Sequence, residues 1–239
     1  SVDDLSREYA REHSDRLWKQ LVMDEAPRAA GRGKQLAIIV ALAIGAGFAV
    51  KLPELFGAST TANPAFWVLN LGLLVLPFLA AYFAWIRRLG TAAIVTVTVA
   101  FAVTAGILNL YPFTLTGMTM PLAAGHAIVV LWLTVGLAYA GGDWRSDASR
   151  MDFIRFTGEW VVYYVLIALG GGVLVGLTTA VFSAVGIDVM PVVFGWLVPC
   201  GAAGTVVVAA ALVEAKQSVI ENIAPVLTKL FTPLFTAML

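Results

Sequence analysis

Two groups of polar residues interrupt an otherwise apolar chain, and they are the places where chemistry could occur. The first opens the stretch VEAKQSVIENIAPVLTKLFTPLFTAML, residues 213–239, which sets Glu214, Lys216, Gln217, Ser218, Glu221 and Asn222 close together. At helical spacing, Glu214, Ser218 and Asn222 stack four apart, and Gln217 and Glu221 form a neighbouring row. Val213, Val219, Ile220 and Ile223 take the other side. The second group is a stripe, Asp152, Arg155, Glu159 and Tyr163, in which the last three follow at intervals of four. Ionisable groups within membrane helices mark ion paths, proton relays or partner contacts. Glu159 could therefore bind a cation or take a proton, and the Glu214–Asn222 seam could face a cavity or a partner helix. The plainer alternative is electrostatic: Glu159 pairs with Arg155 at headgroup level, and the seam is an interfacial elbow whose charges reach water.

Other chemistry finds little support. The chain has no phosphate-binding loop, no dinucleotide fingerprint, no HExxH and no nucleophile elbow. His13 and His126 are far apart in sequence, and His126 is expected to hydrogen-bond structurally within an apolar helix. The lone Cys200 follows Pro199 in an apolar run and reads as an inert thiol. No catalytic set, metal site or cofactor is expected, and the chain is not read as an enzyme. The amino-terminal basic residues alternate with acids and leave no basic stripe, so nucleic acid is not an expected partner.

The elements that hold these residues are membrane helices. Hydrophobic residues make up 60% of the chain and charged residues 13%, about half the charge of an average soluble domain. The reading is an all-α, polytopic transmembrane helical bundle with a short soluble amphipathic helix at the amino terminus. Residues 1–34 form that helix and a glycine hinge, and residues 35–239 form a membrane domain of six to seven spans. In the amino-terminal helix, which Pro27 ends, Leu5, Tyr9, Leu17, Trp18 and Leu21 supply the apolar face. The spans are placed at 36–56, 65–86, 91–110, 122–140, within 156–187, and at 192–213. Pro225 ends the polar elbow, and a seventh apolar segment begins near Val226. The chain opens on Ser and closes on Met238-Leu239 without a polar tail, so a further carboxyl-terminal part is expected.

Charge placement orients the spans. Lys51 is the one Lys or Arg in an outer segment if the amino terminus is cytoplasmic; Arg87, Arg88, Arg145, Arg150, Arg155 and Lys216 all fall inside with the basic amino-terminal residues. Span five is unusual. From Trp160 to Ile187 a straight helix is about 42 Å long, which needs a tilt of about 45° where ~20° is usual. Gly170, Gly171 and Gly172 sit near its middle, and Gly172 with Gly176 makes a GxxxG pair. The glycines either let a second helix pack closely or break this one.

The pieces FIRFTGEW (153–160), GGGVLVGL (170–177), GAAG (201–204) and VEAKQSVIENIAPVLTKLFTPLFT (213–236) resemble a bacterial integral-membrane family, the domain of unknown function numbered forty-one fifty-three. The resemblance covers residues 150–239 well and the earlier spans by hydropathy alone. It implies a multi-span protein of the bacterial inner membrane with a further hydrophobic half, and it carries over no catalytic residue. The function expected is that of a non-enzymatic membrane subunit or scaffold. Its partners are the lipid bilayer and other membrane helices, in a homo-oligomer or a larger complex. The alternative is a transporter or channel for an ion, a lipid or a small neutral solute.

Overall fold

The computed structural model describes residues 33–58, 63–113 and 117–216. These residues form six helices and no strand: α1 (Gly33–Leu55), α2 (Pro64–Ile86), α3 (Thr91–Leu110), α4 (Thr119–Tyr139), α5 (Asp147–Ala184) and α6 (Met190–Lys216). Each is long and apolar enough to cross a membrane. The fold is an all-α helical bundle. Residues 1–40 and 41–239 are two compact units, and within the first unit only the opening turns of α1 are described. The expected amino-terminal helix and the segment from Val226 onward lie outside the described residues.

Short links fold successive helices back on one another. Pro64 starts α2, where its missing N–H costs nothing. After α4 the chain turns through Gly141 and Gly142 at φ 66° and 88°, a conformation that suits glycine. A Cβ on Gly142 would also come within 3.1 Å of Ala93 at the start of α3. Ser146 then caps α5, its side chain accepting from the Ser149 N–H, and Arg150 reaches back to Asp147 in the first turn. α4 is the central helix, packed mainly on α2 and then on α3. Leu79, Tyr82 and Phe83 of α2, Leu131 and Val135 of α4, Phe156 of α5 and Val207 of α6 form the core.

Lipid tails are as apolar as leucine, so helices in a membrane associate by close packing and hydrogen bonds rather than by escape from water. The α1–α6 contact shows this. A Cβ added to Gly47 would lie 3.1 Å from the Cys200 carbonyl oxygen, and one on Gly204 would lie 3.1 Å from the Ala43 carbonyl oxygen. Ala43 and Gly47 are four apart on α1, as are Cys200 and Gly204 on α6, which gives small residues on both faces. Between α2 and α3, Asn70 and Asn109 exchange side-chain hydrogen bonds of 3.1 and 2.8 Å.

α5 corrects the sequence reading. Hydropathy places the fifth span within 156–187, but the Ser146 cap starts the helix at Asp147, and it runs 38 residues, about 57 Å. It does not break at Gly170–Gly172 and continues past Gly176. Glycine weakens a helix by about 1 kcal/mol per residue, whereas opening it in lipid exposes backbone groups at several kcal/mol each. Among the described residues nothing comes within 4 Å of a Cβ placed on any of these four glycines. The irregularity lies in α6 instead, where Val193–Leu197 form a π turn. Pro199 follows two residues after Leu197; its ring crowds the carbonyl of residue 195 and its nitrogen cannot donate, which widens the preceding turn.

Candidate functional site: an ion-paired aromatic knot

Arg87 caps the carboxyl end of α2, its backbone N–H donating to the Phe83 carbonyl. Its guanidinium donates to Glu214 Oε1 on α6 at 2.8 Å and lies 4.8 Å above the Tyr139 ring of α4. The Glu214 side chain is 10% exposed and that of Arg87 34%. The ion pair therefore closes the bundle end at its rim, with the carboxylate on the inside.

Below it the aromatic rings form one cluster. Phe83 meets Tyr139 and Phe156 edge-on at 5.1 and 5.2 Å, and Tyr139 stacks on Phe156 at 4.8 Å. Phe153 adjoins Tyr139 and Trp132, and Trp132 packs on Trp160 at 4.7 Å. Such ring pairs contribute about 0.5–1.5 kcal/mol each beyond the area they bury. Gly136 of α4 makes room for the Phe153 ring, whose nearest atom would be 2.6 Å from an added Cβ. These rings bind α2, α4 and the first third of α5.

Glu159 of α5 meets α6. Arg155 Nε donates to its Oε1 at 3.4 Å, and Lys216 Nζ of α6 stands 3.5 Å from its Oε2. That second oxygen is shut off from solvent and has no hydrogen bond of good geometry, so the Lys216 contact is a longer ion pair. The next residue, Trp160, donates its indole N–H to the Val206 carbonyl at 3.0 Å. Among the described residues three cations (Arg87, Arg155, Lys216) face two carboxylates (Glu159, Glu214). The arrangement locks α2, α4, α5 and α6 together at one end.

The structure thus joins the two polar groups of the sequence: Glu214 and Lys216 from one, Arg155 and Glu159 from the other. Asp152 is exposed and Tyr163 half-buried, and neither enters these ion pairs among the described residues. Gln217, Ser218, Glu221, Asn222 and Pro225 lie outside the described residues. Sequence reasoning missed Arg87 and the rings. The signal for the rings was Phe153, Phe156 and Trp160 at i, i+3 and i+7 within FIRFTGEW. Nothing local marks Arg87, which is 127 positions from its partner.

Several other polar groups serve their own helices. His126 Nδ1 is 2.7 Å from the Leu122 carbonyl, and Thr96, Thr104 and Thr134 donate to carbonyls four residues back. At the opposite end of the bundle, buried Lys51 pairs with Glu54 and lies over Trp196 of the π turn, 5.3 Å from the ring centre. Among the described residues no three His, Cys, Asp or Glu side chains gather as a metal site.

Two apolar surfaces complete the picture. A groove of about 860 Å³ opens between α2, α4, α5 and α6, its lining including Leu69, Gly72, Leu76, Trp132 and Trp160. Beyond Tyr164, whose hydroxyl reaches the Ala202 carbonyl, α5 is largely exposed among the described residues. Phe153 and Phe156 are its only buried residues, and its most apolar stretch has none. No family model, curated protein or solved structure matches this chain.

Proposed function

We propose that the protein is a non-enzymatic membrane subunit whose α5 receives a transmembrane helix of a partner or of a second copy. One observation carries this reading. Every other span has a buried share in its most apolar stretch, whereas α5 has none. The aromatic knot and ion pairs hold the base of α5 rigidly and leave Leu166, Leu169, Val173, Leu174, Leu177 and Val181 exposed beside Gly170–Gly172 and Gly176. Small residues flanked by leucine and valine on a fixed helix are what close helix–helix packing in lipid requires. The excess of Arg at the Arg87 end supports a cytoplasmic orientation for that end. Placement in a bacterial inner membrane rests on the resemblance of residues 150–239 alone.

Extraction in a mild detergent, followed by mass measurement and identification of co-purifying chains, tests the proposal. An assembly larger than one chain is expected, lost in Gly172→Leu while the fold is kept. A monodisperse single chain with no companion would contradict it.

One observation favours transport instead: Glu159 keeps a carboxylate oxygen shielded from water between two cations. On that reading Glu159→Gln abolishes a proton or ion flux in vesicles. Unchanged flux removes it.

A further inference from the structure

Lys51 is a buried cation that the ion-paired knot does not use. It lies four residues before the end of α1 and is 4% exposed. A lysine so near a helix end ordinarily extends its ammonium to the headgroups. Here the ammonium is turned inward. It pairs with Glu54 and stands 5.3 Å from the centre of the Trp196 ring on α6. Glu54, 31% exposed, is the member of the pair that meets the surroundings.

The register of α1 against α6 gives the lysine a task. In steps of four along α1, Ala43 faces Gly204, Gly47 faces Cys200 and Lys51 faces Trp196. The first two rungs consist of small residues, and at each a Cβ on the glycine would lie 3.1 Å from a carbonyl oxygen of the other helix. The third rung holds two long side chains, so the helix axes must part there. At that same rung α6 leaves regular geometry. The Val198 N–H bonds back to the Val193 carbonyl, closing the π turn that contains Trp196. The chain on the far side of this turn reaches α5 through Gly186, at φ 79°. Between Tyr164 and Val193 no residue is buried among the described residues.

We infer that Lys51 is a positioning residue. Its ammonium, fastened between Glu54 and Trp196, holds the wedge between α1 and α6 at one angle and so fixes where α6 carries the exposed half of α5. The cation over the ring and the π turn support one another. Without the cation, α6 is free to recover α geometry. That removes one residue from the turn and rotates the segment before it by about 100° about the helix axis. The inference rests on the reading that α5 receives a partner helix, because a face that must pack closely on another helix needs a set direction.

The test is the distance between two spin labels, measured by pulsed electron resonance on the full chain in detergent. Labels at Val181→Cys on α5 and Val99→Cys on α3, both exposed positions, report where the outer half of α5 lies. Cys200→Ala removes the native thiol and keeps a small residue at the second rung. Lys51→Met should shift the mean distance by several ångströms or broaden its distribution. Lys51→Arg, which keeps a cation for the ring and the carboxylate, should restore the parent distribution. Trp196→Leu spares both small-residue rungs and should act as Lys51→Met does, so the test survives a lysine variant that folds poorly. A distribution unchanged in Lys51→Met or in Trp196→Leu would overturn the inference. An equal change between control labels at Val99 and Leu133, on α3 and α4, would also overturn it, since that marks general loosening. These distances need no partner. An unmoved α5 therefore counts against this inference alone, while a companionless single chain whose α5 still answers to Lys51 counts against the proposed function alone.

Discussion

Removing either partner of the Arg87–Glu214 pair should loosen the bundle, and the two substitutions should not be equal. Arg87→Met takes the cation from a carboxylate that is only 10% exposed, while Glu214→Gln takes the anion from a guanidinium that is 34% exposed. Stripping the partner from a fully buried charge costs about 3–5 kcal/mol, whereas exposed pairs contribute about 0–1 kcal/mol. Glu214 is nearly buried and Arg87 is one of its partners, so Arg87→Met should cost about 2 kcal/mol, which includes loss of the contact on Tyr139. Glu214→Gln keeps the shape and a weaker hydrogen bond, and Arg87 can still turn to headgroup water, so about 1–2 kcal/mol is expected. The assay is equilibrium unfolding in mixed micelles, with the double variant completing the cycle. A coupling of about 1–2 kcal/mol is predicted. A coupling below about 0.5 kcal/mol, or Glu214→Gln costing more than Arg87→Met, would refute the view that this pair fastens α2 to α6.

Three further outcomes follow from packing. Gly136→Ala sets a methyl 2.6 Å from the Phe153 ring, which is itself wedged in the aromatic knot, and should cost about 1–3 kcal/mol by the same unfolding assay. Gly204→Val forces α6 away from the Ala43 carbonyl, so a disulfide between cysteines placed across α1 and α6 near positions 43 and 204 should form several-fold more slowly. Asn109→Leu removes one side of the reciprocal pair with Asn70 and should destabilise by about 0.6–1.7 kcal/mol, with Asn70→Leu equivalent and the double variant less than additive.

Hydropathy was enough to place α3 at 91–110 and α2 within a residue of its observed start, because a span in lipid must be continuously apolar. It failed at the start of α5, where Asp147, Arg150 and Asp152 look like a loop until the Ser146 cap is recognised. The Arg155–Glu159 pair was legible because it is local, four apart on one helix. Glu159–Lys216 and Arg87–Glu214 were not, since nothing along a single helix says which other helix stands beside it. The glycines teach the same lesson. Gly172 and Gly176 form the better motif but meet no neighbour among the described residues, while Gly47, Gly136 and Gly204 admit the close contacts. A stripe of small residues has the same sequence whether it faces lipid or a helix.

The exposed length of α5 is the point on which the proposed function stands, and photo-cross-linking in the native membrane tests it most directly. A photoreactive side chain at Leu169 or Leu177 should give discrete protein adducts with a second chain, and the adducts should disappear when Gly172→Leu is added. Adducts with lipid alone at both positions would contradict the account.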